Sequence, residues 1–184
     1  MQASTSARRV TPRSTGPPFA SDSVVRKNRP RLEHANYAGA VAGLLTFCTS
    51  GRRQAFVSRD NVERTLTQFL RAGVQTHVAV IAYCFMPDHV HLIVQTTDAA
   101  GDVARFARLA KQYAGYAHSQ QVGGRLWQPG WHDRLLRKSD DFVTVIRYVL
   151  QNPIRASLAR EVPQYPYLGS GILTRQALLE SVQL

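Results

Sequence analysis

A chain of 184 residues, 44% of them hydrophobic, is long enough for one domain with a real core and short for two. Twenty-three basic against twelve acidic side chains give a net charge of +11, which favours a polyanionic partner without saying which one. No apolar run nears the ~20 residues of a membrane span, and no apolar stretch follows Arg8, Arg9 and Arg13 to make a secretory signal. The expectation is a cytoplasmic, nucleoid-associated protein with no membrane partner. Cys48 and Cys84 show no Cys-x-x-Cys spacing, which excludes a disulfide scaffold and the usual zinc finger and predicts two buried free thiols.

In chain order, residues 1–35 are rich in Ser, Thr, Pro and Arg, and residues 1–31 hold seven basic side chains and one acidic; a disordered basic arm is expected. A folded domain is predicted over 36–168, with a C-terminal tail at 169–184. Ala40–Thr49 is strand-like and Gly51-Arg52-Arg53 a turn. Ser58 is a candidate N-cap for a helix to about Arg71, with Val62, Leu66, Phe69 and Leu70 on one face and Gly73 placed as its C-cap. Val78–Phe85 is a β-branched and aromatic run predicted as a central strand, and Val90–Thr96 follows it across the turn Met86-Pro87-Asp88. Asp102 opens a helix to about Gln120, with Val103, Phe106, Leu109 or Ala110, and Tyr113 at helical spacing; Gly123-Gly124 ends it. Arg134–Arg137 is a short strand, and Asp140 or Asp141 begins a helix that ends before Pro153. The order strand, helix, strand, strand, helix, strand is that of an α+β, ferredoxin-like split βαβ: an antiparallel sheet with two helices on one face, the other face open. A further helix carries Tyr148. Such a fold does not settle function.

Chemistry enters at His89-Val90-His91. In a strand, residues two apart point the same way, so both imidazoles share a side and Val90 faces the opposite one. Two such imidazoles are half of a divalent metal site, although two surface histidines on an amphipathic strand are the commoner outcome of the tripeptide alone. The wider string Tyr83-Cys84-Phe85-Met86-Pro87-Asp88-His89-Val90-His91-Leu92-Ile93-Val94 resembles the histidine-hydrophobic-histidine motif of HUH single-strand endonucleases, and more closely that of the REP-associated tyrosine transposases. Arg147-Tyr148-Val149-Leu150-Gln151-Asn152-Pro153-Ile154-Arg155-Ala156 resembles the family's Tyr-x-x-x-Asn-Pro-hydrophobic-Arg segment. Leu126-Trp127-Gln128-Pro129 before Arg134–Arg137 is similar to its Trp-Gln run, and the likeness spans roughly residues 37–168.

The resemblance implies His89 and His91 as metal ligands, Tyr148 as nucleophile, and Asn152 as the remaining protein ligand. It implies a 5′-phosphotyrosine intermediate with a free 3′-hydroxyl, on single-stranded or hairpin DNA such as a REP-type palindrome. The residue chemistry suits this. Tyr148 and Asn152 stand at i and i+4, and three neutral ligands leave the charge of a Mg²⁺ or Mn²⁺ ion available to polarise a phosphate. A phenol, with a pKa of about 10, forms an activated ester that a 3′-hydroxyl can displace without ATP.

A helical tyrosine is more often a core aromatic, and Tyr113 and Tyr116 are rival nucleophiles. Arg52, Arg53, Lys111, Arg134, Arg137, Lys138 and Arg155 are candidate DNA contacts, with a solvated basic surface as the alternative. Trp127, with Trp131, is a candidate for base stacking or for plain packing. Asp88 either orients the site or shapes the turn. His34, His77, His118 and His132 have no partner spacing. Against the enzyme stand a non-catalytic single-strand-binding module and an inactive transposase remnant, and both monomer and homodimer stay open.

Overall fold

A computed structural model of the chain describes residues 41–136 and 140–184. The predicted arm and the positions of Arg137 and Lys138 lie outside the described residues. The elements run β1 (Ala42–Cys48), α1 (Arg59–Thr76), β2 (Val78–Met86), β3 (His89–Thr96), α2 (Val103–Gln121), β4 (His132–Leu136), α3 (Phe142–Leu150), α4 (Asn152–Arg155), β5 (Leu168–Gly169) and α5 (Arg175–Ser181). The sheet is antiparallel in the order β4-β1-β3-β2-β5, so its first four strands have the split βαβ topology expected from the sequence. Among the described residues, no helix is long and apolar enough to cross a membrane.

Helix starts follow side-chain chemistry closely. Ser58 accepts from the Asn61 amide at the head of α1, Asp102 from Arg105 at α2, and Asp141 from Val143 at α3, each covering an amide the helix leaves unpaired. Helix α1 runs past Gly73 and ends at His77, whose backbone is left-handed (φ 53°) and whose ring pairs with Asp98 at 2.7 Å. Gly73 is therefore not a cap. It is where α1 touches the sheet: a Cβ there would lie 2.5 Å from the Val78 carbonyl oxygen.

Two cores form, one on each side of the sheet. On the first face Leu45, Phe47, Phe85, Val90, Leu92 and Val94 pack against Phe69 of α1 and Phe106 and Ala110 of α2. On the second, Ala82, Cys84, Met86 and Ile93 lie beneath Ile146, Val149 and Leu150 of α3 and Leu178 of α5. A bulge between Val80 and Ala82 lets β2 serve both. It shifts the register by one, so Val80 faces the first core on one side of the bulge and Phe85 faces it on the other. The second face is thus open only over β4, β1 and the start of β3, rather than along its full width, because α3 and the C-terminal segment cover the β2 half.

Replacing Gly by Ala inside an exposed helix ordinarily gains up to ~1 kcal/mol. Gly73→Ala should instead cost about 1–3 kcal/mol through the clash with backbone, read as a lower urea midpoint with unchanged slope.

Candidate active site

The histidine pair is oriented from beneath. Val90 and Leu92 are fully buried in the first core, so alternation turns His89 and His91 onto the open part of the second face. The turn before them is pinned: the Phe56 amide donates to the Pro87 carbonyl at 3.0 Å, and the Thr49 amide and hydroxyl both donate to the Asp88 carbonyl, at 3.0 and 2.9 Å. The two Nε2 atoms face each other 3.2 Å apart, with ring planes at 89°.

Each Nδ1 is already engaged. His89 donates from Nδ1 to Asp88 Oδ1 at 2.6 Å, while Asp88 Oδ2 accepts from Arg52 Nε at 3.0 Å. His91 Nδ1 meets the Thr46 hydroxyl at 2.9 Å across the β1–β3 pairing. Of the two readings open for Asp88 in the sequence, its side chain carries the first: it holds a ring. Burial, and then the charges of His89, Arg155 and Arg52, push His91 down to about 4, which leaves the imidazole neutral with a lone pair to offer.

The pair sits in an open concavity of about 430 Å³ lined also by Thr46, Cys48, Arg52, Gln128 and His132. Arg52 Nη1 reaches Cys48 Sγ at 3.0 Å; burial pushes that thiol up and Arg52 partly opposes it. Both cysteines are buried and unpaired. His132 lines the same concavity: β4 places it opposite Thr46, which itself stands opposite His91, so the three share one rung of the sheet. Its partner lies across a strand pairing, and no spacing along the chain announces that.

A second cluster lies at the junction of α3 and α4. Tyr148 is 53% exposed, turned away from the buried side of α3, and the Arg155 guanidinium stacks 4.1 Å from its ring centre while also donating to the Tyr148 carbonyl. Asn152 does not continue the helix of Tyr148; it opens α4, with Pro153 next. Its amide nitrogen donates to the carbonyls of Tyr148 (3.2 Å) and Val149 (3.0 Å), which leaves its oxygen to face other partners. Neither Tyr148 nor Asn152 lines the concavity. Both clusters belong to the second sheet face, where α3 packs beside the histidine-bearing strand over Ile93.

Several candidate DNA contacts are otherwise occupied. Trp127 is 5% exposed and packs on Phe47, Phe56 and Phe69, so it offers no face to a base. Lys111 donates to the carbonyls of Gln128 and Gly130 and lies over the Phe47 ring, bracing a loop. Arg53 donates to the Ser50 and Arg125 carbonyls yet remains exposed, and exposed Arg134, on the side of β4 that carries His132, pairs with Asp140 at 3.2 Å. Tyr113 and Tyr116 belong to α2, which packs on the first face, so the sheet lies between them and the histidines.

Does the arrangement fit a divalent ion? Two imidazole nitrogens bound to one ion at about 2.1 Å stand roughly 3.0–3.4 Å apart, and the observed 3.2 Å falls in that range. The engaged Nδ1 atoms are the outer hydrogen bonds that ligating histidines normally carry. Among the described residues, no three His, Cys, Asp or Glu side chains converge to hold a metal, so an ion on this pair would draw its further donors from amide, hydroxyl, phosphate or water oxygens. That set suits a hard, open site rather than a closed structural zinc.

Fold and site define a ferredoxin-like domain with an outward-facing histidine pair beside a tyrosine-bearing helix. The family described as transposase IS200-like matches residues 44–152, more than half of the chain, and the chain belongs to that family. A Haemophilus influenzae protein that carries the name REP-associated tyrosine transposase is 26% identical over 98 residues, covering 47% of this chain and 56% of the relative, so the match spans little more than half of that protein. A solved REP-associated tyrosine transposase bound to a REP hairpin superposes with a TM-score of 0.63 over 73% of this chain and 79% of its own, at 17% identity, which is a likeness of fold.

If the pair holds a metal, Asp88→Asn should lower its Mn²⁺ affinity by roughly 10–100-fold, because an amide accepts more weakly from His89 Nδ1 and no longer balances Arg52. Titration calorimetry on the folded variant measures this.

Proposed function

We propose that this chain is a metal-dependent endonuclease and strand transferase for single-stranded DNA, acting on hairpin or REP-type palindromic substrates. The observation that carries the proposal is the pair of Nε2 atoms 3.2 Å apart, each ring tethered through Nδ1, on the sheet face beside the helix of Tyr148. His89, His91 and the Asn152 amide oxygen would hold Mg²⁺ or Mn²⁺, which supplies Lewis-acid polarisation of the scissile phosphate when bound.

The chain's own residues do the rest. Exposed Arg155 exchanges the ring of Tyr148 for a DNA phosphate and releases the phenol toward the histidine pair. The Tyr148 oxygen, losing its proton, attacks phosphorus; the bond from phosphorus to the 3′-oxygen breaks, and that oxygen takes up a proton. The products are a 5′-phosphotyrosine and a free 3′-hydroxyl, and the reverse reaction with a second 3′-hydroxyl rejoins DNA. Arg52 and Arg134, both on the open face, are the remaining phosphate contacts of this reading.

A labelled single-stranded oligonucleotide should become covalently attached, with the adduct mapping to Tyr148 by mass spectrometry. Chelation should abolish the adduct and Mn²⁺ restore it, and Tyr148→Phe should remove it altogether. An adduct that persists in that variant would sink the assignment, and binding indifferent to metal and phenol would mark a non-catalytic module.

Because α3 packs on the same sheet face and in the same chain as the histidines, over Ala82, Cys84 and Ile93, the site should work in cis. Mixing a His89→Ala/His91→Ala protein with a Tyr148→Phe protein should therefore give no cleavage; restored cleavage would place the tyrosine in a partner subunit.

A further inference from the structure

The helical face, opposite the histidines, carries a groove that the reaction does not use. It runs between α1 and α2, has a volume of about 690 Å³, and is lined by Arg64, Gln68 and Arg71 from α1 and by Gln112, Tyr113 and Tyr116 from α2, with Gln120 and Gln121 at its end. On α1 the three side chains are spaced i, i+4 and i+7, one stripe of the helix.

A crease between two packed helices is ordinary; its chemistry here is not. Among the described residues, no carboxylate lines it and neither arginine has a carboxylate partner, whereas Arg59 nearby pairs with Glu63 at 3.7 Å. Arg64 donates to the Asn61 amide oxygen at 3.0 Å, and Arg71 lies 4.7 Å over the Tyr113 ring, whose hydroxyl donates to Gln75 at 2.6 Å. The arginines are thus positioned by neutral groups with their charges uncompensated. Tyr116 is 68% exposed, an aromatic face that packing does not require. Arginines about 10 Å apart along a helix, a bare aromatic ring and a row of amides are what a single strand needs: cations for phosphates, a platform for a base, and donors and acceptors for base edges.

The positive charge is also continuous with the site. Arg52 lines the histidine concavity, and Arg53 follows it in sequence. Arg53 donates to the carbonyl of Arg125, in the loop that follows α2, whose last residues Gln120 and Gln121 close the end of the groove. Arginines therefore lead from the concavity, past the end of β1, onto the helical face.

We propose that the α1–α2 groove is a second DNA-binding site, which takes the single strand that continues beyond the histidine concavity. The assignment rests on the reading of the chain as a DNA-acting protein, and it gives Tyr116 the role of a stacking platform.

The test measures binding rather than turnover. By fluorescence anisotropy on a long single-stranded oligonucleotide, Arg64→Ala/Arg71→Ala should bind about tenfold more weakly and lower the salt slope by about 1.4, the value for two lost phosphate contacts. Arg64→Lys/Arg71→Lys keeps the charge and should keep the slope. Tyr116→Ala should weaken binding by about tenfold without changing the slope. A photoreactive base in the same oligonucleotide should cross-link to Tyr116. An oligonucleotide too short to leave the concavity should bind the groove variants as it binds the wild type. Unchanged affinity and slope in the alanine pair, with native thermal melting, would overturn the proposal, as would a lysine pair as weak as the alanine pair. The same measurements in a His89→Ala/His91→Ala background do not depend on cleavage, so a chain without nuclease activity still reports on the groove.

Discussion

The register of β3 between β1 and β2 is the constraint on which the site depends. Strand side chains alternate, so a slip of one residue would bury both imidazoles and expose Val90, Leu92 and Val94. Those three residues are fully buried against α1 and α2, and exposing them would cost roughly 1.5–3 kcal/mol each. The geometry of the histidine pair is therefore secured by apolar packing on the opposite side of the sheet. The same register brings Thr46 opposite His91 and Cys48 opposite His89, so one ring receives its Nδ1 partner from the pairing itself.

Asp88 extends that control to the other ring. Its carbonyl is fixed by Thr49, and its carboxylate divides between His89 and Arg52. One residue thereby couples the shape of the turn, the tautomer of a histidine and the position of a cation at the rim. An aspartate at this point does more than an asparagine would, since only the carboxylate accepts from both partners while balancing the guanidinium charge.

Much of this was legible along the chain, and the exceptions have a common cause. Ser58, Asp102 and Asp141 announced their helices because capping is local chemistry, within three residues. The direction of His89 and His91 was legible because strand alternation is local too. What stayed hidden was set by pairing between distant segments. His132 gains meaning only once β4 lies beside β1. Trp127, an aromatic beside a basic loop, reads as either a stacking or a packing residue until Phe47, Phe56 and Phe69 close around it. Gly73 has the local signature of a helix end, but the approach of β2 is what requires it to lack a side chain. Asn152 and Tyr148 kept their i, i+4 proximity, yet α3 ends at Leu150 and Asn152 opens α4, so the junction rather than a shared helix face sets their relation.

Helix α3 does two jobs with two faces. Ile146, Val149 and Leu150 seal the β2 half of the second sheet face over Ala82, Cys84 and Met86. That burial fixes where the exposed side must be, and Tyr148 is on it. Covering only half of the face leaves the histidines accessible; covering none of it would leave Tyr148 without a fixed position, and covering all of it would close the concavity. The partial third layer is thus what leaves both the histidine pair and Tyr148 accessible on this fold. The uninterrupted apolar run of β2, from Val78 to Met86, is its imprint in the sequence: a strand buried on both sides beside β3, whose second face is covered at Ile93 and left open at His89 and His91.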